Sequence, residues 1–170
     1  MHIAYVTSQK RGETDRLLSE IADQLQAQGK SLAGIVKVQS YQSQFENGCD
    51  MKVRVLPEGH EIKITQNLGA GSDACRLDPT AITEAVTQVE AGSMEQSDLF
   101  ILNKFGPEEA AGRGFCNAIG EALDADLPVL VGVGGASIDA FERFSGGLAV
   151  TLVDDRQTIL DWIHTALSQD

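Results

Sequence analysis

The residues best placed to do chemistry stand near the start of the chain. They are Thr7-Ser8-Gln9-Lys10-Arg11-Gly12-Glu13-Thr14, between an apolar run (Ile3-Ala4-Tyr5-Val6) and a helical pattern. A strand that turns through a polar, glycine-bearing loop into a helix offers unpaired backbone N–H groups to an anion. A full phosphate-binding loop reads G-x-x-x-x-G-K-[ST]. With Gly12 on the second glycine, Thr7 takes the first, Glu13 the lysine and Thr14 the magnesium-binding hydroxyl. A carboxylate about 4 Å from a phosphate, in place of an ammonium, reverses an interaction of roughly 4 kcal/mol at an effective dielectric near 20. Ordinary magnesium–nucleotide chemistry is therefore not expected here unless Lys10 or Arg11 supplies the cation. The structural alternative is that Glu13 and Asp15 simply favour the helix N-terminus through its dipole.

A second group ends an apolar run, Asp98-Leu99-Phe100-Ile101-Leu102-Asn103-Lys104-Phe105-Gly106. Asn-Lys-x-Asp would be a guanine-selecting element, but Gly106 replaces its aspartate. Read instead as a metal-binding strand end, the stretch has Asn103-Lys104 where two acids would stand. Asparagine can bond a metal-bound water but brings no charge to hold the metal. The two changes look reciprocal, and Glu13 and Lys104 are expected to approach one another. Either they close the site as a salt bridge, or Lys104, Lys10 and Arg113 form a cationic pocket.

Further candidates are weaker. Cys49 and Cys75, with Arg76 beside the latter, form a soft metal or oxyanion contact if their loops fold together, since a nearby cation lowers a thiol pKa. The other reading is reduced thiols without a role, because Cys49, Cys75 and Cys116 are odd in number and hold no CxxC pair. His2, His60 and His164 are scattered, so no metal site is assigned. Gly132-Val133-Gly134-Gly135-Ala136-Ser137 either presents free amides to an anion or is a tight turn with Ser137 as helix cap. Glu108 and Glu109 open a helix and suit its dipole.

The elements that must position these residues follow from periodicity. Leu17, Leu18, Ile21 and Leu25 lie on one face of a helix over residues 14–28, closed by Gly29. Leu32–Val38 reads as a strand. Met51–Val55 and Glu61–Thr65 alternate with period two around Pro57-Glu58-Gly59-His60, a β-hairpin signal. Asn67–Ala74 is a glycine-rich loop, and Asp78-Pro79 starts a helix carrying Ile82, Val86 and Val89. Leu99–Leu102 and Pro128–Val133 are apolar on both faces, as central parallel strands are. Between them Pro107 opens a helix with Ala111, Phe115, Ile119 and Leu123 inward. A short helix with Ile138, Phe141 and Phe144, a strand over Leu148–Val153 and a last helix from about Arg156 with Ile159, Leu160, Trp162 and Ile163 complete the chain. Apolar strands alternating with amphipathic helices give a three-layer α/β domain, a parallel sheet covered on both faces, with the hairpin as an insertion near one edge. No repeat or linker divides residues 1–170, so one domain is expected.

Composition bounds the partners. A net charge of −12 on 170 residues disfavours nucleic acid and anionic membranes, which call for lysine and arginine. No apolar run approaches the roughly 18 residues of a membrane span, and no basic leader precedes Ile3. The cytoplasm is the expected location.

The order of these pieces resembles the small bacterial and archaeal nucleoside-triphosphatases of the P-loop fold over nearly the whole chain. The resemblance rests on Gly12-Glu13-Thr14, Leu32-Ala33-Gly34-Ile35-Val36, the Met51–Thr65 hairpin, Arg76-Leu77-Asp78, and Asn103-Lys104-Phe105-Gly106-Pro107-Glu108-Glu109 with Phe115 following. More closely, Cys49-Asp50-Met51, Gln66-Asn67-Leu68-Gly69, Cys75-Arg76-Leu77-Asp78 and Asn103-Lys104-Phe105-Gly106 are similar to a bacterial P-loop-like family carried as a domain of unknown function. Its members are often encoded beside molybdate-transport genes, which implies a link to molybdenum or oxyanion metabolism. Of the nucleoside-triphosphatase signature only Gly12 and Thr14 carry over.

The sequence therefore predicts a degenerate P-loop NTPase-like protein that binds a nucleotide, phosphate or other small oxyanion without efficient hydrolysis. The ligand would sit at Thr7, Ser8, Lys10, Arg11, Gly12, Glu13, Thr14, Asn103 and Lys104. One alternative is an active nucleotide-dependent enzyme using Lys10 or Arg11 in place of the missing lysine. Another is an accessory protein that acts through a protein partner, its old pocket closed. Ligand identity stays open at this point, and magnesium is not expected as a cofactor.

Overall fold

Apolar segments separated by helical ones become strands of one sheet, and their order decides which loops meet. The computed structural model describes residues 1–44, 50–57, 59–67, 75–92 and 94–168, with Asn67 and Cys75 described by their backbone alone. The first half of the chain runs β1 (Ile3–Val6), α1 (Glu13–Ala27), β2 (Leu32–Lys37), β3 (Lys52–Leu56), β4 (Glu61–Lys63), β5 (Thr65–Asn67), β6 (Cys75–Leu77) and α2 (Pro79–Glu90). The second adds β7 (Leu99–Phe105), α3 (Pro107–Ala110), α4 (Cys116–Asp124), β8 (Val129–Val133), α5 (Ile138–Phe144), β9 (Val150–Leu152) and α6 (Arg156–Leu167). The main sheet has the order β4-β3-β2-β7-β8-β1-β9. From β2 to β9 all neighbours are parallel, and the β3–β4 hairpin extends the β2 edge in antiparallel fashion.

Both faces of the central strands are buried because helices cover both. Val6, Leu99, Ile101 and Leu130 pack against Leu17, Leu18, Ile21 and Leu25 of α1 and Ile159 and Ile163 of α6. Phe100, Leu102, Phe105, Val129 and Val131 face the other way, toward Val89 of α2, Ile119 of α4 and Phe141 of α5. Each such side chain contributes about 1.5–3 kcal/mol on full burial. α2 starts as its sequence predicts: the Asp78 carboxylate accepts the Thr80 and Ala81 amides at 2.9 and 3.3 Å, and Pro79 fills the first turn.

Several sequence expectations shift. The helix opened by Pro107 is not continuous. Gly112 and Gly114 take φ of +75° and +57°, splitting it into α3 and α4. The cause is Glu109, whose buried carboxylate folds back to accept the Gly106 and Phe115 amides at 2.9 and 3.1 Å, leaving no room for a side chain at Gly114. Ala111 is consequently exposed, while Phe115 and Ile119 are buried as expected. Thr65 does not end the hairpin but begins β5, which pairs with β6 as a small second sheet. Residues 68–74 of the predicted glycine-rich loop lie outside the described residues. The strand expected over Leu148–Val153 shortens to β9 at the sheet edge, with Leu148 and Val153 exposed; Phe144 is exposed too, and Trp162 is half-buried.

Two local devices fix the ground around the predicted site. On β7, Leu102 pairs with Val131 and Phe105 with Val133, so Asn103 and Lys104 together oppose Gly132. That is a β-bulge, which bends the strand and re-aims its side chains. Gly132 is obligatory to it: a Cβ there would overlap the Asn103 carbonyl oxygen and come within 2.9 Å of Thr14 Cγ2. The second device is Asp50, whose buried carboxylate accepts from the Tyr41 hydroxyl (2.7 Å), the Ser43 hydroxyl and the Gln44 amide (3.2 Å), and pairs with Lys63 at 3.3 Å. Burial alone would raise its pKa, but the bonds from Ser43, Tyr41, Gln44 and Lys63 outweigh that and hold it well below the usual carboxylate range.

Two outcomes follow. Gly132→Ala should cost about 1–3 kcal/mol by overpacking, read as a lower urea midpoint; an unchanged midpoint would contradict the bulge. Because the folded pKa of Asp50 is depressed, its stabilisation is full above the unfolded value near 3.9 and is lost as pH falls below it. Asp50→Asn should therefore lower the melting temperature at pH 7 and flatten the acid limb of the stability curve. Parallel acid limbs in the two proteins would count against this assignment.

Candidate anion-binding site

β1, β7 and β8 are neighbours and parallel, so their carboxyl ends open on one crevice, where ligands of open α/β sheets bind. The loop leaving β1 is shaped by Ser8. Its hydroxyl donates to Asp154 at 2.6 Å and accepts the Lys10 amide at 3.0 Å. Gly12 then takes φ +78°, a left-handed conformation suited to glycine, as the N-cap of α1. The Glu13 amide bonds the Lys10 carbonyl at 3.2 Å, and Gly12 brings no side chain to cap the first-turn amides that follow. Such amides are left for solvent or for an anion.

A cavity of about 180 Å³ lies in front of this turn. Ser8, Lys10, Arg11, Gly12, Thr14 and Asp15 wall one side. Asn103 and Lys104 of the bulge close the other, with residues 132–134 as its floor. The Asn103 side chain is almost fully buried and its amide reaches Asp15 Oδ1 at 3.4 Å, so the first turn of α1 and the end of β7 are in contact. Asp15 also pairs with Lys37 at 3.6 Å. Among the described residues, neither Lys10, Arg11 nor Lys104 forms a salt bridge. The cavity thus has three cations outside any salt bridge among the described residues and one carboxylate that is already engaged. A larger hollow of about 440 Å³, between the end of β3 and α2, is lined by no lysine, arginine or carboxylate among the described residues.

The structure brings together Ser8, Lys10, Arg11, Gly12, Thr14, Asn103 and Lys104. Thr7, half-buried behind the loop, and Glu13 do not line the cavity. The expected approach of Glu13 to Lys104 is not formed. Arg16, one helical turn on, takes both Glu13 oxygens at 2.9 and 2.6 Å and also bonds Glu20 at 2.6 Å, a pairing that α-helical spacing favours. The Arg16 hydrogen bonds, helped by the charge of Lys10, hold the Glu13 carboxyl below its usual range. Arg113 does not join the cavity either, because Glu108 holds it at 2.8 and 3.2 Å. Ser137 caps no amide with its side chain; its own N–H closes a turn on the Gly134 carbonyl at 2.8 Å.

Of the second candidate group, Cys49 and the Cys75 side chain lie outside the described residues, and Arg76 is exposed on β6. Cys116 is half-buried and donates to the Glu109 carbonyl at 3.2 Å. Burial, with the Glu109 charge adding, pushes its thiol pKa up, away from nucleophilic thiolate character. Of the glycine-rich stretch 132–137, expected either to present amides to an anion or to form a tight turn, residues 132–134 line the cavity; Asp15 and Asp154 were not expected as parts of the site. Neither carried a local signal of that role, whereas Gly132, a glycine inside an apolar strand, marks a close approach.

The strand order and the helices on both faces of the sheet make a P-loop NTPase-like fold. Residues 3–162 match the family model described as "Protein of unknown function (DUF2478)", and the chain belongs to that family. It is 33% identical over 162 residues to "Molybdenum import ATP-binding protein ModC 2" of Bradyrhizobium diazoefficiens. That match takes in 94% of the chain but spans only 18% of the length of the relative. Among solved structures, the human cancer-related nucleoside triphosphatase superposes with a TM-score of 0.63 at 14% identity, over 100% of both chains. THEP1 from the hyperthermophile Aquifex aeolicus gives 0.64 at 13% identity, over 99% of this chain and 98% of that one. Among the described residues no helix is long and apolar enough to cross a membrane.

Proposed function

We propose that this protein is a degenerate P-loop domain that holds a small oxyanion, or the phosphate of a larger ligand, without efficient nucleotide hydrolysis. The observation that carries the reading is the cluster of Lys10, Arg11 and Lys104 around uncapped helix amides, with Glu13 in place of the loop lysine and turned to Arg16. The cavity size supports it. At about 30 Å³ per water, 180 Å³ is some six waters' worth, room for one hydrated tetrahedral anion. It falls short of the ~300 Å³ at which sites for larger ligands begin. The donors fit magnesium poorly: Asp15, the carboxylate in the wall, is already shared by Asn103 and Lys37, and Thr14 and Asn103 bring no charge.

The relative named as a molybdenum import ATP-binding protein suggests where such a domain works. A stretch similar to nearly all of this chain forms a small part of that longer protein. Molybdate is accordingly the first oxyanion to try, with an import ATPase as protein partner and the cytoplasm as the place. The same observation favours a second reading, an accessory domain acting through that partner alone.

Thermal shift and calorimetry with sodium phosphate, sulfate, molybdate and tungstate at fixed ionic strength test the proposal, since a ligand of the native state raises its melting temperature. At least one anion should raise it, and the effect should weaken with added salt. Lys10→Ala and Lys104→Ala should each lower the affinity by about tenfold, which corresponds to ~1.4 kcal/mol. No shift with any anion, or shifts that survive both substitutions, would overturn the reading.

A further inference from the structure

On the far side of Asn103 and Lys104 lies a second hollow of about 150 Å³, and these two residues belong to the walls of both cavities. Apart from Glu108 and Glu109, its other walls are mainly apolar: Ile35 of β2, Met51 and Ile64 beside the hairpin strands, Ile82 of α2 and Phe115 before α4. The bulge is what allows the sharing. In a regular strand, successive side chains face opposite sides of the sheet, whereas here Asn103 and Lys104 stand together against one partner residue at the strand end. The two carboxylates in the apolar wall are occupied, Glu108 by Arg113 and Glu109 by the Gly106 and Phe115 amides. Among the described residues that line this hollow, Lys104 is the one cation.

We propose that the two cavities take one ligand, an organic phosphate whose anionic end meets Lys10, Arg11 and Lys104 and whose uncharged aromatic or heterocyclic body fills the apolar hollow. This deepens the anion-site reading and rests on it. A ring suits the hollow because it buries apolar surface with few torsions to freeze. A second anionic group does not, because it would lie against Glu108 and Glu109 with no cation beyond Lys104 to meet it. Together the two spaces reach the range of small-ligand sites, upward of about 300 Å³, that neither reaches alone.

Calorimetry with inorganic phosphate, 1-naphthyl phosphate and 1-naphthol tests it, on the full chain and on Ile82→Trp, which fills the hollow. Ile82→Asp, which charges it, serves as a second variant, and circular dichroism checks the fold of both. The ester should bind about tenfold tighter than inorganic phosphate. In a folded Ile82 variant that gain should vanish while phosphate binding persists. Phosphate binding with no gain for the ester, or a gain that survives both variants, overturns this inference and leaves the anion site standing. Binding of neither phosphate nor the ester contradicts the anion-site reading and the inference with it.

Discussion

The site depends on one packing constraint, the pressing of the Asn103 backbone and the Thr14 side chain onto Gly132. Three elements distant in sequence meet there: the first turn of α1, the end of β7 and the end of β8. A side chain at residue 132 would drive them apart. With glycine, β7 can bulge, Asn103 can be buried against Asp15, and Lys104 can stand beside the loop of Lys10 and Arg11. The surrounding core supplies the stiffness, because β7 and β8 are buried on both faces by α1 and α6 on one side and α2, α4 and α5 on the other.

Electrostatics then gives that packed corner its character. The chain carries a net charge of −12, yet the carboxylates nearest the cavity are engaged: Glu13 by Arg16, Asp15 by Lys37 and Asn103, Asp154 by Ser8. The cations of the cavity form no salt bridge among the described residues, and only Lys10 acts on one of these carboxylates, Glu13, through its charge. On the anion-site proposal, such a crevice on an acidic protein would draw small anions while the net charge repels polyanions. The same logic explains why Glu13 does not neutralise Lys104. A guanidinium one helical turn away, reached without ordering a second loop, captures it first.

Much of this was legible in the sequence, and the residues show why the rest was not. Pro128–Val133 and Leu99–Leu102 read as central parallel strands because burial on both faces needs unbroken apolar runs, and such strands stand there as Val129–Val133 and Leu99–Phe105. Asp78-Pro79 started a helix by local chemistry alone. Gly112 and Gly114 stood in the chain as breakers, but the Glu109 carboxylate that exploits them acts through a tertiary fold-back. At the site, Lys10, Arg11, Gly12, Thr14, Asn103 and Lys104 were readable from their places at strand ends. Asp154 was not, since it reaches Ser8 across 146 positions through the β1–β9 pairing, which no local pattern encodes. The bulge was hidden for the same reason, because strand register is set between chains of residues rather than within one. The direction of Glu13 could have been foreseen from Arg16 three places on, a helical ion-pair spacing visible in the sequence.

The central proposal is that a P-loop-like cradle holds an anion without cleaving nucleotides, with Glu13 standing where the loop lysine would be and Asn103-Lys104 where the acids would be. The most direct measurement is inorganic phosphate release from ATP and GTP, with and without magnesium, by the purified chain. The account predicts no magnesium-dependent release above the protein-free rate. Saturable turnover of about 1 s⁻¹ or faster, the ordinary range of enzymes, lost in Lys10→Ala, would contradict it.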